Sequence, residues 1–216
     1  MNQTPMIYRG INTEAELREL WKFDCLAYGE AGLPWNNFLL WWSAFPDGLH
    51  GAFAGDMIVG AVGMWPFKSA SYDTMLRGTL PESDITIADF DLDSEIKPKW
   101  YISGIVLRED WRRTGPIGAL VFTAIERLGS LAHVEHIDVC AVGSTNEGRR
   151  MLDRFGFQIS GTTTYEGFPI YTSPNLPLDL ALGDTSIPSS SEHFRYRTNL
   201  RKGSHRVTDP DDLRYT

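Results

Sequence analysis

What most limits the folds open to this chain is the stretch from Trp100 to Leu128. Ile102, Ile105, Val106 and Leu107 mark Trp100–Leu107 as a strand. Arg108-Glu109-Asp110-Trp111 then leads into Arg112-Arg113-Thr114-Gly115-Pro116-Ile117-Gly118. From there Ile117, Leu120, Val121, Ala124, Ile125 and Leu128 recur at spacings of three and four, the pattern of a helix with one buried face. A further strand at Ile137–Val142 and a helix from Asn146 to Arg154, stopped by Gly156, follow. A glycine-containing turn at a helix N-terminus offers unpaired backbone donors and the positive end of the helix dipole, which suits a phosphate. Arg112 and Arg113 add charge there. Pro116 is compatible with a first helical turn but removes one donor. The same residues also describe an ordinary helix start with surface arginines. The spacing is neither a dinucleotide fingerprint nor a Walker A loop.

The rest of the chain places this unit inside a larger sheet. Met6–Arg9 reads as a first strand. Thr13 and Glu16 match a capping box, and Leu17, Leu20, Trp21, Cys25 and Tyr28 continue it as one helix face. Gly32 and Pro34 end that pattern, and Asn36–Trp42 reads as a second short helix. Leu49–Ala54 and Ile58–Trp65 flank Gly55-Asp56 as a hairpin. Residues 67–99 are acidic and turn-rich and read as a long loop, with a small strand at Ile85–Ile87. Phe157–Tyr165 and Phe168–Thr172 form a last strand pair around Glu166-Gly167. The mixed order excludes a pure sandwich and calls for an α/β sheet with helices on both faces. Residues 1–172 are read as one domain. Residues 173–216, with Pro174, Pro177, Pro188 and three serines, are read as an extension that wraps the domain or a partner subunit.

Charge narrows the class. The net charge is −8, from 28 acidic and 20 basic side chains. That balance opposes non-specific nucleic-acid binding, and no basic stripe is interleaved with aromatics. No run of apolar residues is long enough to span a membrane, and the N-terminus does not read as a signal peptide, so a cytoplasmic protein is expected. Two cysteines, Cys25 and Cys140, make neither a disulfide framework nor a metal cluster, and no metal is expected.

The order of elements, the loop Arg112–Gly118 and the downstream helix ending in Gly156-Phe157 together resemble the GCN5-related N-acetyltransferase (GNAT) family. The family's loop has the form Arg/Gln-x-x-Gly-x-Gly/Ala. Counted from Arg112, Gly115 matches its first glycine, and Ile117 stands where the second glycine or alanine is usual. Thr145 stands at the usual asparagine position, with Asn146 one residue late. Leu152 falls where many members carry a tyrosine that protonates the departing thiolate.

The resemblance implies a GNAT-like fold with a mixed, mostly antiparallel central sheet. It implies an N-acetyltransferase moving an acetyl group from acetyl-CoA to a small-molecule or peptide amine by direct attack. Acetyl-CoA is expected in a V-shaped opening between Trp100–Leu107 and His136–Val142. The backbone of Ile105 and Leu107 would meet the pantetheine arm, and an N–H near Val106 or Leu107 would polarise the carbonyl. Arg112, Arg113, Thr114, Gly115, Pro116, Ile117 and Gly118 would hold the pyrophosphate, with Asn146 nearby.

For the general base the candidates are Tyr101, Asp138, Glu30 and Glu109. Tyr171 is a candidate replacement acid. Cys140 reads as a small buried hydrophobe, and His133 and His136 as structural or surface residues. The acceptor would lie against the first two helices, where Tyr28, Trp35, Trp41 and Trp42 cluster. Trp35 is the one best placed to line a pocket. The acidic stretch 84–95 would either attract a cationic amine or serve solubility. A homodimer is compatible with the family. The alternative reading is a non-catalytic CoA-binding protein on the same fold.

Overall fold

A computed structural model describes residues 5–29, 32–112, 116–132 and 135–177. Arg113, Thr114, Gly115, Glu30, His133 and the extension beyond 177 lie outside the described residues.

Seven strands form one sheet in the order β1-β2-β3-β4-β5-β7-β6. They are β1 Met6–Gly10, β2 Leu49–Ala54, β3 Met57–Pro66, β4 Lys99–Leu107, β5 His136–Val142, β6 Gln158–Thr163 and β7 Pro169–Pro177. Every neighbouring pair is antiparallel except β4 and β5. Among the described residues five α-helices cover it: α1 Glu14–Tyr28, α2 Trp35–Ala44, α3 Ser69–Leu76, α4 Pro116–Ala132 and α5 Asn146–Arg154.

Local chemistry explains where these elements begin. Thr13 Oγ1 accepts from the Glu16 amide at 3.2 Å and starts α1. The Glu16 carboxylate reaches one residue beyond the expected partner, accepting from Asn12 N at 2.9 Å while pairing with Arg9 at 2.6 Å. The β2–β3 hairpin closes at Gly55, whose φ of 61° suits a residue without Cβ.

Two cores result. On one face α1, α2 and the segment 67–99 bury Leu17, Leu20, Trp41, Trp65, Phe90 and Tyr101 together. On the other, α4 and α5 bury Trp100, Leu120, Ala124, Leu128, Val139 and Leu152. Trp65 and Phe90 stack at 5.5 Å, and Trp41 meets both edge-on.

Two expectations are corrected here. Residues 67–99 are not a bare loop: they hold α3 and single 3-10 turns at Glu82–Asp84 and Ile87–Asp89. Ile85–Ile87 is no strand; the segment's one sheet-like contact is the bridge Phe67↔Phe90. Its apolar residues Ile85 and Phe90 are buried because they complete the first core. The second correction is the boundary at 172. β7 continues to Pro177, and Leu176 and Pro177 pair with Ile137 and His136 of β5.

One irregularity positions the site. In the β3–β4 ladder Gly63 faces Gly104 and Met64 faces Ile102, leaving Ser103 as an extra residue. Such a bulge resets the alternation of side chains. Tyr101 lies on the α1 face before it and Val106 lies on that face after it, whereas Ile105 packs with the α4 side.

Candidate functional site

β4 and β5 pair in parallel only from Lys99↔Asp138 to Ile102↔Ala141. β5 ends at Val142 while β4 runs on to Leu107, so among the described residues no strand pairs with β4 on that side and an opening is left along its edge. Arg108 N donates to Val59 O at 2.9 Å, which fixes the phase of the ladder. By the alternation of antiparallel pairing, the peptides of Gly104 and Val106 face β3, and those of Ile105 and Leu107 face the opening. Tyr28 Oη donates to Ile105 O at 3.3 Å, in keeping with that phase. Val106 is therefore corrected as a carbonyl-polarising residue, since its amide is committed to β3.

The Arg112 guanidinium bonds Leu107 O at 3.4 Å and is otherwise exposed at the end of the opening. Pro116 is buried at the start of α4, and Ile117 and Gly118 are half-buried. A Cβ on Gly118 would meet nothing within 4 Å, so protein packing does not require a glycine there. Asn146 is the exposed first residue of α5. The cap itself is Thr145, whose Oγ1 accepts from Gly148 N at 3.0 Å.

Four polar side chains converge at the α1 mouth of the opening. A Cβ on Gly104 would lie 3.7 Å from Tyr28 Oη and 3.9 Å from Asp24 Oδ1, so α1 sets both groups against the bare backbone of the bulge. Burial pushes the Asp24 carboxyl up to about 6. Burial, then the charge of Asp24, pushes the Tyr28 hydroxyl up to about 12. The Glu82 carboxyl, from the turn after α3, is enclosed although part of the residue meets solvent. Burial raises it to about 7, the hydroxyl of Tyr101 works in the opposite sense, and the charges of Asp24 and Glu166 raise it further. Tyr101 is fully buried, and its hydroxyl makes no hydrogen bond of ordinary geometry. Burial and the adjacent Glu82 hold it well above its usual value.

Of the expected catalytic residues, then, Tyr101 is at this mouth and the other two are not. Asp138 lies at the closed end of the β4–β5 pair, where its Oδ1 accepts from Asn175 N at 2.9 Å. Asn175 has a φ of 53°, so the carboxylate secures a strained point in β7. Tyr171 packs on the opposite face, and a Cβ on Gly143 would meet its ring at 2.7 Å. Glu109 is exposed in a turn, His136 is exposed, and Cys140 is fully buried with its thiol pushed up by desolvation. Trp35 packs edge-on to Trp21 at 5.6 Å under Arg18, and Trp42 Nε1 bonds Ile11 O. The aromatic cluster of α2 is mostly core. Leu152 is buried beneath α5 and offers no proton.

Asp24 and Glu82 were not singled out from sequence. Asp24 had a readable signal: it interrupts the apolar face Leu20, Trp21, Cys25, Tyr28 of α1, four residues before Tyr28. Glu82 had none, because its position depends on how residues 67–99 fold back.

A seven-stranded sheet whose one parallel pair opens beyond a bulge, with helices on both faces, decides the architecture. The chain has the GNAT fold. The loading GNATL domain of CurA from Lyngbya majuscula superposes with a TM-score of 0.58 at 14% identity, covering 79% of this chain and 98% of that one. The GphF GNAT-like decarboxylase in complex with isobutyryl-CoA gives 0.58 at 13%, covering 78% and 98%. Ard1 from Thermoplasma volcanium gives 0.53 at 13%, covering 77% and 94%. No family model and no curated protein matches the sequence. Among the described residues no group of histidines, cysteines and carboxylates is placed to hold a metal ion, and no helix is long and apolar enough to cross a membrane.

Proposed function

We propose that this GNAT-fold protein is an N-acyltransferase that moves an acetyl group from acetyl-CoA to an amine in a ternary complex. The observation that carries the reading is the opening between β4 and β5, with Asp24, Tyr28, Glu82 and Tyr101 gathered at one of its mouths. The GphF complex with isobutyryl-CoA supports an acyl-CoA donor on this fold.

The thioester of acetyl-CoA supplies the acyl group. The peptides of Ile105 and Leu107 hold the amide-bearing arm in the manner of an added strand. Arg112 and Gly118 flank the start of α4, where the pyrophosphate would rest. An amide facing the opening, that of Ile105 or Leu107, polarises the reacting carbonyl.

Glu82 takes the proton of the attacking amine. A carboxyl held near 7 is half-ionised at neutral pH and suits a general base. Tyr28, which stays protonated to about 12, is the donor for the departing thiolate in place of the missing tyrosine at 152. Transfer is favoured over decarboxylation on the same fold. A decarboxylase must seat a carboxylate, and Asp24, Glu82 and Glu166 present like charge at this mouth.

The test is calorimetric titration with acetyl-CoA, followed by thiol release over a panel of amines, for the native protein and E82Q. The expected result is micromolar donor binding by both proteins and turnover by the native one alone. Absence of donor binding by the native protein overturns the reading.

A further inference from the structure

The phase of β4 changes at one residue. Before it, Phe67 N donates to Lys99 O at 2.8 Å, so by alternation the peptides of Lys99 and Tyr101 face β3. After it, Arg108 N donates to Val59 O at 2.9 Å, and the peptides of Val106 and Gly104 face β3. The change falls at Ser103, the extra residue opposite Gly63. If the phase of Tyr101 carried straight through, Ile105 and Leu107 would turn to β3 and Val106 to the opening.

Ser103 has a fastening of its own. Its Oγ accepts from Trp65 Nε1 at 2.9 Å. It lies against the bare backbone of Gly63, where a Cβ would come within 2.5 Å of it. Trp65 is 1% exposed, and its ring is held on three sides. Phe90 stacks on it at 5.5 Å, Trp41 meets it edge-on at 5.4 Å, and a Cβ on Gly48 would touch it at 2.5 Å.

An indole N–H only donates, and enclosed in an apolar core it is costly without an acceptor. The residues on either side of Ser103 are Ile102 and Gly104, and neither side chain can accept. A slip of β4 by one residue in either direction therefore leaves the indole unpaired. The rigid ring selects the one phase in which the hydroxyl is opposite it.

We infer that Trp65 is a positioning residue, which through Ser103 Oγ holds the bulge in phase and so presents the amides of Ile105 and Leu107 to the acyl-CoA. This rests on the acyltransferase reading. It ties the aromatic core of α2 and residues 67–99 to the donor side of the reaction, through a side chain that need not touch the substrate.

W65F keeps a ring and removes the N–H, S103A removes the acceptor, and S103T keeps it. Amide hydrogen exchange of the full chain, followed by NMR, needs no cofactor. In the native protein the Val106 amide should exchange slowly, as Tyr101 does, and those of Ile105 and Leu107 about 10-fold faster or more. In W65F and S103A the Val106 amide should speed up about 10-fold while Tyr101 stays within about threefold, and S103T should match the native protein. Calorimetry should show acetyl-CoA affinity reduced about 10-fold in W65F, in S103A and in the double variant alike, since each breaks the same link. In turnover KM for acetyl-CoA should rise while KM for the amine stays within about threefold. Should W65F fail to fold, S103A breaks the same bond from the half-buried end. Native-like protection of Val106 in S103A overturns the inference, as do losses that multiply in the double variant, which would make Trp65 a packing residue independent of Ser103. If the native protein does not bind acetyl-CoA, the acyltransferase reading falls, and the exchange comparison still decides whether Trp65 holds the bulge.

Discussion

The enclosed carboxyl of Glu82 should make the fold weaker at high pH, and E82Q should relieve it. Burial raises this group from an ordinary 4.5 to about 7. Below about 4.5 the carboxyl is neutral in both folded and unfolded chains, and the fold has its full stability. Between 4.5 and about 7 the unfolded chain releases the proton while the folded chain keeps it, so stability falls as pH rises; above about 7 the loss is complete. A shift of about 2.5 pH units corresponds to roughly 3 kcal/mol, and solvent reaching part of the residue reduces this to about 2. Glutamine has nearly the same shape and no charge. E82Q should match the native protein near pH 4.5 and exceed it by about 2 kcal/mol at pH 8.5. For a chain of this size that is a rise of about 4–8 °C in Tm. The assay is thermal and urea unfolding followed by circular dichroism, native beside E82Q, at several pH values in that range. An E82Q advantage that is constant across pH, or that grows toward low pH, refutes the assignment of Glu82 as a desolvated carboxyl.

In turnover, kcat/KM of the native protein should climb with pH and level off above about 7, and E82Q should lose that limb with a drop of about 100-fold or more; a surviving limb would move the base elsewhere. D138A should cost about 1 kcal/mol in urea unfolding through the lost bond to Asn175 N, with kinetics unchanged; a kcat loss above about 100-fold would restore Asp138 as a base. G78A should cost about 2 kcal/mol or more by the same measurement. The residue has a φ of 72°, and a Cβ there would lie 2.0 Å from Thr163 O, so the end of α3 cannot rest on β6 without movement. An unchanged unfolding midpoint would contradict that packing.

The unit β4–α4–β5–α5 was legible because its signals are local: a long apolar helix face and Gly156, with a φ of 81°, after α5. So was the β2–β3 hairpin, where two apolar runs meet at Gly55. α3 was not. It makes about two turns and buries only Tyr72 and Met75, three residues apart, which is too little period to separate from a turn-rich loop. The bulge at Ser103 left no mark either. Alternation counted straight through from Tyr101 puts Ile105 on the α1 face, whereas Gly104 and Val106 are there. This one residue decides which peptides of β4 face the opening. Among site residues, Tyr101 could be placed from its strand, but its neighbour Glu82 comes from nineteen positions earlier in the sequence.

The segment that carries Glu82 leaves and rejoins the sheet at one place. Phe67 N donates to Lys99 O at 2.8 Å, and Asp91 N donates to Pro66 O at 2.9 Å. The segment is thus clipped to adjacent strands at Phe67 and Asp91, while the edge of β4 beyond Ile102 is supplied by a different part of the chain. The acidic group and the cleft it serves belong to separable parts of the chain. Residues 67–99 are therefore a cassette: a replacement clipped at the same two points, and keeping Phe67, Ile85 and Phe90 in the first core, would change which group waits at the mouth and leave β4 in place.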